Sequence, residues 1–134
     1  MESCIFCKII EGKIPCTKVY EDKNVLAFLD ISPVNKGHAL VMPKKHFETL
    51  MDVDDNILCE TMKTVKKLSK AIMKAVKDDG INISINNHKA AGQLVPHLHI
   101  HIIPRFSNDG LKFDWPTKKI ADMDKTAELI RKAL

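Results

Sequence analysis

Residues 97–103 read HLHIHII: three of the chain's six histidines fall at alternate positions in one short apolar run. An ordinary core does not collect imidazoles in this way, because each buried neutral ring loses hydration and its nitrogens then need partners. In an extended strand, residues two apart share a face at roughly 6.5–7 Å spacing. On that reading His97, His99 and His101 line one face, while Leu98, Ile100 and Ile102 anchor the other in the core. The strand is expected over 95–103, bracketed by Pro96 and Pro104, since proline suits a strand's opening residue and is costly in its middle.

Working outward, 81–85 (INISI) alternates apolar and polar residues as a half-buried strand does, and 86–92 reads as a loop. Further upstream, Leu58, Met62, Val65, Leu68, Ile72 and Val76 recur at three and four residues, the period of one helix face. Asp52 or Asp54 suits the helix start, and Gly80 suits the position just past its end. Residues 17–21 (TKVYE), 24–29 (NVLAFL) and 38–42 (HALVM) read as three more strands, with turns at Asp22-Lys23 and at 35–37, and Pro43 ends the third. A short helix is expected from about Lys125 to Ala133. Strands set apart from one long helix predict an α+β fold with a mainly antiparallel sheet.

With 134 residues and 45% hydrophobic content, the chain fits one domain over 1–134 with a single core. The net charge of +4 is mild, and its lysines between Lys63 and Lys77 recur on the polar side of the long helix. No aromatics interleave them, so a solvated face is favoured over a nucleic-acid surface. No apolar run reaches the eighteen or so residues of a membrane span, and the opening Met1-Glu2-Ser3-Cys4 is not a secretory leader. The expected location is the cytosol, where Cys4, Cys7, Cys16 and Cys59 stay reduced.

A rigid row of imidazoles serves either metal ligation or covalent catalysis, in which one ring attacks while its neighbours position and protonate. Gly92 and Gln93 enter the row: glycine permits close backbone approach, and exposed N–H groups with the glutamine amide suit phosphate oxygens.

Residues 92–105, GQLVPHLHIHIIPR, resemble the signature of the histidine triad (HIT) family, in which alternating histidines are followed by two apolar residues. CIFCKIIEGKIP at 4–15, VYED at 19–22 and AFLDISPVNKGHALVMPKKH at 27–46 resemble the family's N-terminal half in the same order. The likeness covers about 4–106, with 107–134 as a less distinctive extension. It implies a HIT-like sheet of about five antiparallel strands with the long helix packed on it, and a homodimer.

It also implies roles. His99 is the expected nucleophile towards an α-phosphate, giving a nucleotidyl-histidine intermediate that water releases. His101 assists proton transfer, His38 completes the cluster, and Gln93 contacts the phosphate. Phe28, Asp30 and Ile31 form the base and ribose pocket, with Asp30 accepting from ribose hydroxyls, and Asn86 and Gly92 lie at the phosphate side. The implied substrates are purine nucleotides: an adenosine phosphoramidate or a dinucleoside polyphosphate. Leu94 departs from the small hydroxyl residue often found there in the phosphoramidate branch, which removes a hydrogen bond near the leaving group.

Cys4-Ile5-Phe6-Cys7 is a CxxC. By itself it admits redox, metal or incidental roles, and zinc needs about four ligands. The family's zinc-bearing branch implies Cys4, Cys7, His46 and His97, a structural site with no open position; incidental thiols are the alternative. Cys59 reads as packing, Cys16 carries no argued role, and His88 reads as a surface residue. Three rival functions remain: a nucleotide-binding regulatory protein with little turnover, a hydrolase using the histidine row as metal ligands, and a nucleic-acid binder using the lysine-rich helix.

Overall fold

In the computed structural model, which describes residues 3–112 and 115–134, the chain forms one five-stranded sheet and three α-helices. Met1 and Glu2, which open the stretch read for a leader, lie outside the described residues. The order is α1 (Ile5–Ile10), β1 (Lys18–Glu21), β2 (Val25–Leu29), β3 (Ala39–Pro43), α2 (Asp55–Val76), β4 (Gly80–Ser84), a single 3-10 turn (Lys89–Ala91), β5 (Ile100–Arg105) and α3 (Met123–Ala133). The strands lie β1-β2-β3-β5-β4, every neighbour antiparallel, so the α+β expectation holds. Among the described residues no helix is long and apolar enough to cross a membrane.

β2 and β3 are apolar along their whole length because both of their faces are covered. Val25, Ala27, Ala39, Val41, Ile100 and Ile102 meet Val65, Leu68 and Ile72 of α2 on one side. Leu26, Phe28, Leu40 and Met42 meet Cys4 and Phe6 on the other. His101 lies opposite Leu40 in the β3–β5 register, so its side chain shares the face turned away from α2.

Four expectations need correction. First, the buried face of α2 includes Thr61 and Thr64, whereas Met62 is 38% exposed. The threonine hydroxyls donate to the carbonyls of Ile57 (2.7 Å) and Glu60 (3.1 Å), which lets polar side chains sit inside at little cost. Second, neither aspartate caps α2 through its side chain: Asp54 holds the N-cap position but its carboxylate accepts from Lys45 (3.3 Å), and Asp52 accepts from Thr49. Third, Lys77, not Gly80, closes the helix in a left-handed conformation (φ 56°), and Gly80 opens β4. Fourth, β5 begins at Ile100 and contains Pro104. β3 pairing stops at Ala39–Ile102, and the Pro104 carbonyl accepts from Asn35 on that side. The missing proline N–H therefore faces an edge with no partner strand.

The turn at 35–37 is pressed onto α2, and only glycine fits there. A Cβ on Gly37 would lie 3.1 Å from Val76 and 3.2 Å from Pro104, and its φ is +89°. Asn35 also donates to Asp109 (3.0 Å), which accepts from Arg105 Nε (2.8 Å) and Nη2 (3.2 Å) and from the backbone N–H groups of Phe106 and Leu111. The Arg105 guanidinium holds the Asp109 carboxyl well below the usual carboxylate range. A carboxyl with a depressed folded-state pKa adds stability that is present above its unfolded value, about 4, and is lost as pH falls. Asp109→Asn is expected to lower the urea midpoint at pH 7, with the gap from wild type closing towards pH 2. A gap independent of pH would mean that this charge carries no stability.

Candidate functional site

The segment between β2 and β3 folds back on itself through backbone bonds, with Asp30 N–H donating to the His38 carbonyl (2.9 Å) and His38 N–H to that of Asn35 (3.1 Å). Asp30 Oδ1 accepts from Ser32 N–H (2.8 Å), which turns Oδ2 towards His38 Nε2, 3.5 Å away. These groups border a cavity of about 490 Å³ on the sheet face turned from α2. Its walls are apolar, from Phe6, Ile9, Phe28, Leu40 and Val95, and its polar residues include Asp30, His38, His99 and His101.

Backbone partners assign the protons of these imidazoles. His99 Nδ1 lies 2.6 Å from the His97 carbonyl. A carbonyl only accepts, so Nδ1 carries the proton and Nε2 is left as the lone-pair nitrogen. His38 Nδ1 accepts from Val34 N–H (3.0 Å), so its proton sits on Nε2 and is donated to His101 Nδ1, 3.0 Å away. Neutral His101 therefore carries its own proton on Nε2. The cluster thus presents one free lone pair on His99 beside one N–H donor on His101, with ring centroids 5.0 Å apart.

Burial lowers the pKa of all three rings: His38 and His99 fall below their ordinary value, and His101 is pushed down to about 4, helped by repulsion from His99 and His38. The rings are held neutral near pH 7, which keeps the His99 Nε2 lone pair available for attack. Asp30, His38 and His101 also place ligand-type atoms within 4.8 Å of one another. The Val34 N–H keeps His38 Nδ1 as an acceptor, so His38 Nε2 holds a proton rather than a metal. This trio suits proton transfer.

His97 leaves the row. The backbone over 95–99 is not paired in the sheet: His97 N–H donates to Val95, and Leu98 N–H to the Phe47 carbonyl. The expectation that all three histidines line one strand face is therefore corrected, because the strand starts only after His99. His97 is fully buried beside Cys4 Sγ (3.5 Å to Nδ1) and Cys7 Sγ (3.6 Å), and His46 Nδ1 lies 3.3 Å from Cys7 Sγ. A tetrahedral zinc places neighbouring sulfur and nitrogen ligands about 3.5 Å apart; these three sulfur–nitrogen distances match it, and all four ligand atoms lie within 4.8 Å of one another. His97 Nε2 donates to the Pro43 carbonyl (2.8 Å), which leaves Nδ1 as the ligating nitrogen. Burial pushes the His97 imidazole down to about 4 and the Cys7 thiol up to about 11, the latter reinforced by Cys4. All four cysteines are free thiols.

The HIT domain family model matches residues 11–108. The chain belongs to the HIT family. It is 50% identical to an uncharacterized HIT-like protein of Methanocaldococcus jannaschii over 96% of this chain and 98% of that one. It is 44% identical to the adenosine 5'-monophosphoramidase hnt1 of Schizosaccharomyces pombe, over 89% of this chain and 87% of the relative. Among solved structures, a Zn-bound histidine triad family protein from Mycobacterium smegmatis superposes with a TM-score of 0.79 at 37% identity, covering 98% of this chain and 93% of that one.

As a HIT protein the chain brings Phe28, Asp30, Ile31, Asn86 and Gly92 to the same cavity as His38, His99 and His101. Ile31 stands almost wholly exposed at its mouth. Gln93 is not brought there. Its amide donates to the Glu48 carbonyl (2.6 Å) and accepts from His88 N–H (2.7 Å), so it braces the loop it was expected to serve from. That brace holds His88 at a positive φ of 68°, with its side chain exposed as expected. Leu94 lies at the rim, 92% exposed. Cys59 is exposed on α2, which corrects the packing expectation, and Cys16 packs beside the Leu26–Phe28 cluster. Sequence reading missed the walls Phe6 and Ile9 of α1. Their one signal is the apolar residues set between and beyond the two cysteines.

Proposed function

We propose that this HIT-family hydrolase cleaves purine nucleotides at the α-phosphate, an adenosine phosphoramidate first and a dinucleoside polyphosphate second. The observation that carries this reading is the His99 Nδ1–H bond to the His97 carbonyl, which leaves Nε2 free on an apolar cavity beside the His101 donor. The similarity to a named adenosine 5'-monophosphoramidase supports the substrate class.

In this mechanism the base lies against Phe28 and Ile31, and Asp30 Oδ2 accepts from the ribose hydroxyls. Asn86 and Gly92 face the phosphate. The His99 Nε2 lone pair forms a bond to phosphorus while the bond to the leaving group breaks, and that electron pair departs with the leaving group. His101 lends it the Nε2 proton while the His38 Nε2 proton shifts onto His101 Nδ1, and the pair is restored by the proton that the attacking water gives up in the second step. The imidazolium on His99 keeps its Nδ1–H on the His97 carbonyl. Water then attacks phosphorus and gives up a proton to the His101–His38 pair, the P–N bond returns its electrons to His99, and the nucleoside monophosphate is released. Cys4, Cys7, His46 and His97 would hold a zinc ion that is structural, tying the chain's N-terminal part to the segment before His99. A homodimer fits the exposed Met62 and Met73 of α2 and Ile83 of β4, and a cytosolic home fits four unpaired thiols.

The test is AMP release from adenosine 5′-phosphoramidate, with intact-protein mass read after rapid acid quench for an added adenylyl group. Turnover with an adduct is the expected result. No turnover on this substrate or on diadenosine polyphosphates sinks the reading in favour of a nucleotide-binding regulator.

Two further outcomes follow from the site. Acid removes the His99 Nε2 lone pair, and burial holds the pKa of that ring below its ordinary value. The acid limb of kcat/KM should therefore fall below the ordinary histidine value of about 6.5; a limb at 6.5 would contradict the desolvated ring. Leu94→Ser, which supplies a hydroxyl at the rim, is expected to raise kcat/KM for the phosphoramidate about 2- to 10-fold, the worth of one hydrogen bond. A drop would mean that the leucine itself makes the better contact.

A further inference from the structure

α1 carries two features that bear on each other. Its six residues are too few for a helix to hold itself in water. It is anchored at its start, where the Cys4 sulfur accepts from Cys7 N–H (3.4 Å), and by the approach of both cysteines to His97 and of Cys7 to His46. Between those cysteines Phe6 points into the protein, 8% exposed. Its ring meets that of His99 edge to face, centroids 5.1 Å apart at 85°, and meets His97 at 6.1 Å and Phe28 at 5.7 Å. The His99 ring is thus in contact with both Phe6 and His101. Among the described residues its hydrogen bond is to the backbone of His97, itself part of the Cys–His cluster.

We propose that Phe6 is a positioning residue for His99, and that the Cys4–Cys7–His46–His97 cluster acts on the nucleophile through it. The edge of the Phe6 ring and the His97 carbonyl fix the plane and the proton of the imidazole, and both depend on the same four side chains. A wall residue alone would shape nucleotide affinity; a positioning residue changes the order of the His99 ring before any nucleotide arrives. This rests on the reading of His99 as nucleophile, so the decisive readout is made on the free protein.

The experiment uses zinc-loaded protein with ¹⁵N-labelled histidine, comparing wild type, Phe6→Leu and chelator-treated wild type. The nitrogen spectrum of His99, the affinity for AMP and the steady-state constants on adenosine 5′-phosphoramidate are measured together. Phe6→Leu keeps an apolar wall and removes the ring. It is expected to blur the single Nδ1–H signature of His99 and to lower kcat about 10- to 100-fold, the cost of a misplaced reacting group, with AMP affinity within about threefold. Chelation is expected to blur the same signal while far-UV dichroism stays that of a folded chain. An unchanged His99 spectrum and kcat in Phe6→Leu, with only AMP affinity moved, overturns the positioning role. A sharp His99 signal after chelation overturns the part given to the cluster. If wild type releases no AMP, the functional reading fails, and the spectra still decide whether Phe6 orders the ring.

Discussion

Replacing His99 by alanine is expected to cut AMP release from adenosine 5′-phosphoramidate by about 10⁴-fold or more, which is about 5.5 kcal/mol of transition-state stabilisation. AMP itself should bind within about threefold of wild type. The two numbers separate because the cavity's apolar walls and Asp30 are untouched, while the one free lone pair next to a proton donor is gone. Solvent water does not replace it, since water is a weaker nucleophile than imidazole and is not held in line with phosphorus before substrate arrives. His101→Ala should cost less, about 10²- to 10³-fold, because a leaving amine can take its proton from water once the covalent step is in place. Equal losses for His99 and His101 would argue against a nucleophile and for two rings acting as a pair of general acids and bases. Residual activity in His99→Ala within tenfold of wild type would remove covalent catalysis by this residue.

Side-chain chemistry survives translation into sequence better than geometry does. The alternating histidines and the CxxC are legible because few other residues do what imidazole and thiolate do, and the five strands follow from their apolar runs. Where a histidine goes is another matter. His97 and His101 are equivalent in a two-residue repeat, yet one sits buried against sulfur and the other beside His38. The difference arises because the strand begins at Ile100, and that boundary depends on Leu98 bonding to the Phe47 carbonyl, a contact 51 residues distant along the chain.

Other misses share this origin in tertiary structure. Met62 and Thr61 compete for the inner face of α2, and hydropathy favours the methionine; the hydroxyl bond back to Ile57 reverses the choice. α1 is too short to show a period, so Phe6 and Ile9 carry no signal of their own as cavity walls. Gln93 reads as a phosphate donor from its neighbours in sequence, but its amide is satisfied by two backbone groups that no local pattern reveals. In each case the residue type is informative and the partner is not.

Chelating the zinc proposed for the Cys–His cluster, or removing one of its sulfurs by Cys7→Ser, is expected to lower the melting temperature by about 10 °C or more. A loss of about 3 kcal/mol would move a chain of this size that far. That is well below the roughly 10–16 kcal/mol by which zinc folds an isolated finger, because here the sheet and α2 hold without it. What a bound zinc would add is local. Without it two sulfurs and two imidazoles face one another at 3.3–3.6 Å with only weak thiol donors between them, inside a cluster that includes Phe6, Leu26, Phe28 and Met42. The metal-free Cys7 thiol, pushed up to about 11 by burial, must lose its proton on loading, so zinc affinity should fall as pH is lowered and the thermal shift should shrink with it. Two controls make the result readable: Cys59→Ser, an exposed cysteine on α2, should leave the melt unchanged, and added zinc should restore the chelated wild type but not Cys7→Ser. If chelated, Cys7→Ser and wild-type proteins all melt together, the four side chains are incidental neighbours, and α1 is held by Phe6 and its apolar contacts alone.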